Sequence, residues 1–118
     1  MNPRRVHELM RSSFPSEETE QDWINVADSN GAIQSRIARL VEENISADVL
    51  LVEVHRKLGS LLPKSEALQF VYKHILKGRI RITSRDFSGF VVIEVNGVAK
   101  GWRKPIAKSA QNTTDAAL

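Results

Sequence analysis

The side chains best suited to catalysis are spread thinly along this chain. Its three histidines, His7, His55 and His74, are far apart in the sequence, and each falls in a different predicted helix. The adjacent carboxylates Glu17-Glu18 and Glu42-Glu43 are pairs only in sequence, because consecutive residues of a helix point in different directions. Metal binding needs ligands that converge, and no such spacing is present. We therefore predict no catalytic residue, no metal site and no cofactor.

Sequence motifs with a known catalytic mechanism are missing as well. The chain has no GxSxG, no glycine-rich phosphate loop, no HExxH and no dinucleotide fingerprint. It has no cysteine, which excludes disulfides, thiolate catalysis and cysteine zinc sites and suits a reducing compartment. Its longest apolar runs, such as 49–52 and 90–93, have four residues, too few for a membrane span. We therefore predict a cytoplasmic protein that is not an enzyme and does not enter a membrane.

Charge is distributed unevenly along the 118 residues, although the formal net charge is only +3. Residues 12–35 contain five carboxylates and no Lys or Arg, whereas residues 73–108 contain nine basic and two acidic residues. The folded protein is therefore predicted to be an electrical dipole, a property that bears on partners and encounter rates rather than on fold.

The acidic stretch around Trp23 is a candidate surface for a protein partner. Carboxylates on one helix face can imitate a run of phosphates, and an aromatic anchor among them is typical of an interface hot spot. In the alternative interpretation, Trp23 is a core residue and the acids are only the solvent side of its helix. The candidate partner-binding residues are Glu17, Glu18, Glu20, Asp22, Trp23 and Asp28.

The basic half of the chain supports a different hypothesis, the binding of a nucleic acid. Its cations alternate with Phe87, Phe90 and Trp102, and such a surface could follow a phosphate backbone while the rings stack on bases. In the alternative interpretation, to which we give more weight, the cations only protect edge strands from pairing with other chains. The candidate nucleic-acid-binding residues are Lys73, Lys77, Arg79, Arg81, Lys100 and Arg103.

Four or five helices are predicted to precede the strands, each with a capping or breaking residue and apolar residues at helical spacing. Within residues 46–61, the segment from Val49 to Val54 is β-branched enough to form a strand instead, but the run that continues through His55 to Leu58 favours a helix. Gly78 is predicted to end the last helix in a left-handed conformation. The candidate helices span 3–13, 16–27, 32–44, 46–61 and 63–77.

The C-terminal part predicts three antiparallel strands, 79–84, 90–95 and 98–103, in the order edge, centre, edge. Asn96-Gly97 suits a two-residue type I′ turn that pairs Val95 with Val98. In that register one face of the hairpin carries Val91, Ile93, Val95, Val98, Lys100 and Trp102, and the other carries Phe90, Val92, Glu94, Ala99, Gly101 and Arg103.

The predicted fold is therefore α+β, with four to five helices packed on a C-terminal three-stranded antiparallel meander. A small sheet is unstable alone in water, so the helices must cover one of its faces. Residues 1–106 are predicted to form a single domain, because a chain of this length buries one core. Residues 107–118 are small and polar, which predicts a disordered tail.

The same order of elements also suits a winged-helix DNA-binding protein. Residues 63–77 would then be the recognition helix and Asn96-Gly97 the tip of the wing. Against this alternative, the N-terminal half of that helix, which usually contacts the bases, carries little positive charge.

Leu9 and Met10 in the first helix are followed by Phe14, then by Gln21-Asp22-Trp23, and then by an amphipathic helix. This pattern resembles the opening of a family of bacterial immunity proteins that neutralise a cognate toxin, as in contact-dependent growth inhibition. The resemblance implies that the protein binds a toxin nuclease domain and blocks its active site or substrate groove. We therefore predict a non-enzymatic protein-binding module of the immunity type, with a winged-helix-like nucleic-acid-binding protein as the alternative.

Overall fold

The computed structural model describes residues 3–13, 23–26, 32–55 and 58–103. Within these ranges the chain forms three helices and one six-stranded sheet whose neighbouring strands are all antiparallel. The helices are α1 (Pro3–Ser13), α2 (Ile33–Asn44) and α3 (Lys64–His74). The strands are β1 (Ile24–Asn25), β2 (Val49–Val54), β3 (Leu58–Pro63), β4 (Ile80–Ser84), β5 (Gly89–Ile93) and β6 (Val98–Arg103), in the spatial order β1-β6-β5-β4-β2-β3.

The predicted architecture of four to five helices on a three-stranded meander is wrong. The described residues contain three helices, and the three predicted strands are only half of the sheet. β4, β5 and β6 do pair in the predicted order, but β2 pairs with β4 and β1 pairs with β6. β4 is therefore an interior strand, and the interpretation of Arg79 and Arg81 as edge protection is wrong. On β6 the described part of β1 pairs only with Val98 and Ala99.

The largest error concerns residues 46–61, which form β2 and β3 rather than a helix. β2 lies between two other strands, and Leu50, Leu51, Val52 and Val54 are all buried. A strand that is buried on both faces is apolar without alternation, so its pattern resembles that of a buried helix. The β-branched valines favour the extended form, and pairing with the distant strand β4 stabilises it further.

Helices cover this sheet on both sides. α2 and α3 pack on one face, against alternate strand residues such as Val52, Ile82 and Val91. α1 packs on the other face over β2 and β3, where Val6 and Met10 are fully buried. The central strands therefore contribute to two cores, and every residue of β5 is buried.

The predicted helices 3–13, 32–44 and 63–77 are confirmed as α1, α2 and α3. The predicted helix 16–27 lies mostly outside the described residues, but its Ile24–Asn25 segment forms strand β1 instead. The predicted tail, 107–118, also lies outside the described residues. Among the helices that the structure describes, none combines the length and the apolar character needed to cross a bilayer.

The end of α3 differs from its prediction. The helix ends at His74, and the left-handed residue that follows is Leu76, with φ 70°. Gly78 has a different role, because a Cβ at this position would lie 2.7 Å from the Cβ of His55. Gly78 is therefore required for close approach of two backbone segments and not for a helix stop.

The turn between β5 and β6 has three residues rather than two. Glu94 N–H donates to the Val98 carbonyl at 2.8 Å, and of the pair Asn96-Gly97 only Gly97 has a positive φ, 89°. This is the usual geometry of a three-residue hairpin loop that ends in a left-handed glycine. The added residue shifts the register by one, which moves every side chain of β6 to the opposite face. The predicted faces are therefore wrong: Val91 lies opposite Gly101 and Ile93 opposite Ala99, whereas Phe90 lies opposite Trp102 and Val92 opposite Lys100.

The C-terminal end of α2 packs closely on β5 and β6 at two glycines. A Cβ at Gly89 would lie 1.9 Å from the carbonyl oxygen of Asn44, and one at Gly101 would lie 2.5 Å from the Asn44 side-chain nitrogen. The guanidinium of Arg103 donates to the Glu43 carbonyl at 3.0 and 3.1 Å. The backbone of α2 therefore meets the sheet directly at Gly89, and the side chains of Asn44 and Arg103 add further contacts.

Replacement of Gly89 by Ala is expected to lower the free energy of unfolding by about 2–3 kcal/mol, because the new Cβ meets the backbone of α2. Urea denaturation followed by circular dichroism measures this change. Ser65→Ala, at an exposed position of α3, is the control and should stay within about 0.5 kcal/mol of the wild type. Equal stability of the two variants would contradict the close packing.

Candidate functional site

Polar side chains from several strands form one row on the sheet face that α1 contacts. The strand registers place Glu53 opposite Arg81, Arg81 opposite Val92, and Val92 opposite Lys100. The register of β1 with β6 extends the row to Trp23, which immediately precedes β1. Residues that the sequence separates widely are therefore neighbours across the sheet.

Glu53 is the most deeply buried charge in this row, with 2% of its surface exposed. Its Oε1 accepts a hydrogen bond from Arg81 Nε at 2.8 Å and another from Nη2 of the same guanidinium. Its Oε2 lies 2.8 Å from Nδ1 of His7 on α1. A buried carboxylate requires such compensation. Because both oxygens are engaged, Glu53 ties α1 to the sheet and is poorly placed to act as a general base.

A second ion pair lies in the next row of the same face. Arg79 Nε is 2.8 Å from Oε2 of Glu94, although the contact angle is not that of a hydrogen bond. Both side chains are partly exposed, at 37% and 27%. The positive charge of Arg79 is therefore partly balanced by a carboxylate at its side.

Trp23 lies over the ammonium group of Lys100. The Nζ atom is 4.6 Å from the centroid of the indole ring, which is within the range of a cation–π interaction. Lys100 is only 6% exposed, whereas Trp23 is 39% exposed and the adjacent Ile24 is 45% exposed. The interpretation of Trp23 as a core residue on the buried side of a helix is therefore wrong. An exposed tryptophan with an oriented ring has the character of an interface anchor.

The large apolar side chains that are exposed on the described residues all lie at one end of the sheet. Ile24 on β1 and Leu58 on β3 are the two outer members of one row of paired residues that crosses all six strands. The turn after β5 and the connection before β4 lie at this same end. We call this surface the apolar end; its residues are Trp23, Ile24, Leu58, Leu76 and Val95.

Positive charge borders the apolar end where α3 finishes. Lys73 and Lys77 are exposed there, and His74 lies between them. Burial lowers the pKa of His74, and the charges of Lys73 and Lys77 lower this pKa further. The imidazole is therefore biased toward its neutral form by a positive local potential.

The six candidate cations for nucleic-acid binding do not form one accessible surface. Arg79 and Arg81 are engaged by carboxylates, and Lys100 lies beneath an indole ring. The two lysines of the α3 region lie at the apolar end, whereas Arg103 ends β6 at the opposite end of the sheet.

Two of the three proposed stacking platforms are not accessible. Phe90 and Trp102 stack on each other with centroids 5.4 Å apart and are buried in the core that also contains Val6 and Met10 of α1, and Phe87 packs partly buried against this core. The winged-helix alternative is also wrong, because a β2–β3 hairpin replaces the helix that should precede the recognition helix.

Of the predicted partner-binding residues, the structure places only Trp23. Glu17, Glu18, Glu20, Asp22 and Asp28 lie outside the described residues.

Sequence reasoning missed the contact between His7 and Glu53, which are 46 positions apart. The available signal was Glu53 itself, a lone charge in the apolar run 49–54 that needs a partner if the run is buried. Sequence reasoning also placed His55 in a helix, whereas this residue follows β2 with φ 50°. In the ranges that the structure describes, no group of three or more His, Asp or Glu residues is arranged to hold a metal ion.

Replacement of Glu53 by Gln is expected to lower the free energy of unfolding by about 3 kcal/mol, because Arg81 then keeps a largely buried charge without its carboxylate. Glu8→Gln is the matched control, since Glu8 pairs with Arg5 at 3.7 Å and both side chains are more than half exposed. Loss of an exposed pair should change stability by less than about 1 kcal/mol. Denaturant titration of both variants measures the difference, and similar losses would show that burial does not strengthen the Glu53 contact.

Comparison of the chain with protein-family models, with curated proteins and with solved structures finds no significant match.

Proposed function

We propose that this protein is a non-enzymatic protein-binding module whose contact surface is the apolar end of the sheet. The observation that supports it is the gathering of all large exposed apolar side chains of the described residues at this end. Single exposed apolar residues are ordinary on a folded domain, but a group on one side is typical of a surface that a partner covers.

The extent of the apolar end suits such a contact. Ile24 and Leu58 lie on the two outermost strands, β1 and β3. These strands are separated by five inter-strand distances, or about 24 Å in total. A standard protein interface covers roughly 800 Å² of each partner, which corresponds to a patch of comparable width. Trp23 supplies an aromatic anchor at one side of this band, and its contact with Lys100 limits the freedom that the ring would lose on binding.

Acidic residues lie near Trp23 in the sequence, so we propose that this side of the contact is negatively charged. Asp22 directly precedes Trp23, and we assign to this stretch the electrostatic steering of a basic partner. The residues to which we assign this role are Glu17, Glu18, Glu20, Asp22 and Asp28.

The specific form of the proposal is an immunity protein that binds and neutralises a cognate toxin domain, such as a nuclease, in the bacterial cytoplasm. A nuclease is basic where it holds its substrate, so an acidic segment with an aromatic anchor is complementary to that groove. This form rests on the resemblance of residues 9–23 and on the acidic stretch.

Nucleic-acid binding is the alternative, and the exposed lysines Lys73 and Lys77 are the observation that favours it. Arg103 lies at the opposite end of the sheet from these lysines, and Phe90 is buried, so both observations argue against it. The alternative predicts an affinity for duplex DNA that falls steeply as salt is raised.

Capture from a lysate of the native host tests the proposal, with the wild-type protein and the double variant Leu76→Asp/Val95→Asp as parallel baits. Charges in the centre of the contact should cost at least about 2 kcal/mol, or roughly thirtyfold in affinity. A bound protein should therefore be strongly depleted on the variant, as measured by quantitative mass spectrometry. The matched control is Ser46→Asp/Ser65→Asp, which adds the same charge at exposed positions away from the apolar end and should bind like the wild type. The proposal fails if no captured protein distinguishes the two double variants.

The immunity form has its own test. The captured protein, expressed alone in a bacterial host, should arrest growth, and coexpression of this chain should restore it. A captured protein that is harmless alone would overturn the immunity form while leaving the binding surface in place.

A further inference from the structure

The apolar end contains a pocket of about 470 Å³ lined by Glu53, His55, Arg79, Arg81 and Val95. We propose that this pocket binds a carboxylate group attached to a short apolar chain. The proposal does not depend on the protein-binding function, because it concerns the chemistry inside the pocket rather than the surface around it.

Two guanidinium groups converge on this pocket. Arg79 and Arg81 are two positions apart in an extended segment, so their side chains leave the same face of the sheet. Each is oriented by a carboxylate at its side, Arg79 by Glu94 and Arg81 by Glu53. A guanidinium presents its N–H donors in a rigid fork that matches carboxylate geometry. Arginines that are already oriented bind an anion with little further loss of freedom.

The carboxylate of Glu53 does not make the pocket acidic. Its Oε1 is bonded to Arg81 and its Oε2 to His7, and its side chain is 3% exposed. The charge of Glu53 is therefore compensated within the protein, and its role is to hold Arg81 in place. An incoming anion meets the guanidinium and imidazole groups of the lining, with the carboxylate of Glu94 at the side of Arg79.

His55 is placed in the pocket wall by an unusual backbone. Its φ is 50°, a left-handed conformation that is uncommon for a residue with a side chain, and such residues cluster at ligand-binding sites. Gly78 makes room for it, since a Cβ at Gly78 would lie 2.7 Å from the His55 Cβ. Two independent features of the sequence thus hold an exposed imidazole at the rim of a pocket that contains two arginines.

Val95 defines the other part of the ligand. It is 53% exposed and supplies aliphatic surface to the lining of the pocket. A ligand that satisfies both parts has an anionic head and a short hydrocarbon body. Such a carboxylate can come from a free organic acid or from an acidic side chain of a bound protein.

Titrations monitored by ¹H–¹⁵N NMR test the proposal with three probes: butyrate, its neutral analogue butyramide, and a capped peptide amide with one glutamate. Butyrate should shift the backbone signals of residues 79–81 and 95 and the side-chain Nε–H signals of both arginines, and butyramide should not. Response to butyrate identifies a site for free acids, and response to the peptide alone identifies a site for a protein side chain. The proposal is overturned if neither carboxylate probe shifts these signals or if butyramide binds as well as the carboxylates.

Two substitutions locate the site. Arg79→Gln should weaken binding of the carboxylate at least about tenfold, the usual loss for one hydrogen bond to a charged group, whereas Arg85→Gln, at an exposed arginine beyond the other end of β4, should leave it unchanged. His55→Asn keeps a residue that tolerates a left-handed backbone and should weaken binding severalfold with the spectrum otherwise preserved. If Arg79→Gln unfolds the domain, His55→Asn decides, and unchanged affinity in this variant would overturn the assignment.

Discussion

Burial of both faces of β2 is the constraint on which the rest of this structure depends. A strand with Leu50, Val52 and Val54 on one face and Leu51 on the other cannot lie at the surface of a sheet covered from one side only. The chain therefore supplies α2 and α3 for one face and α1 for the other. The same constraint acts on Glu53, whose carboxylate lies within a buried strand and needs both the guanidinium of Arg81 and the imidazole that α1 supplies. The position of α1 is thus determined by apolar packing and by the contact between His7 and Glu53 together.

The fold could be predicted from the sequence where the evidence is local. The periodic apolar residues of α1, α2 and α3 and the alternation in 79–84 identify elements that the structure contains. Residues 46–61 could not be assigned in this way, because a strand buried on two sides and a buried helix have the same apolar pattern. The tertiary partner decides between them, and that partner, β4, lies further along the chain. The predicted register of β6 was wrong for a related reason. One extra loop residue, which ends the turn at Gly97, moves each side chain of β6 to the opposite face of the sheet.

The candidate site was predicted less completely than the fold, again for a physical reason. Trp23 was recognised as the residue of interest, but whether it is exposed depends on its place beside β6, which no local pattern records. The candidate cations were found by counting charge, yet the fold pairs Arg79 and Arg81 with carboxylates that are distant in the sequence, Glu94 and Glu53. Charge composition predicts how strongly a chain can attract a partner. It does not predict which charges remain available after the sheet has paired them.

The two ends of the sheet differ in what they can offer to another molecule. At the end that carries the β4–β5 turn, the side chains of Ser84 and Ser88 donate hydrogen bonds of 2.5 and 2.8 Å to Oδ1 of Asp86, and these bonds lower the pKa of the Asp86 carboxyl. α2 closes the same end by its direct contact with Gly89. Hydrogen-bonding groups that are already satisfied gain little from a partner. The apolar end, by contrast, exposes Leu76 and Val95 to water. A partner that covers these side chains removes apolar surface from water, which is favourable. The fold therefore leaves at the apolar end the surface that gains most from being covered.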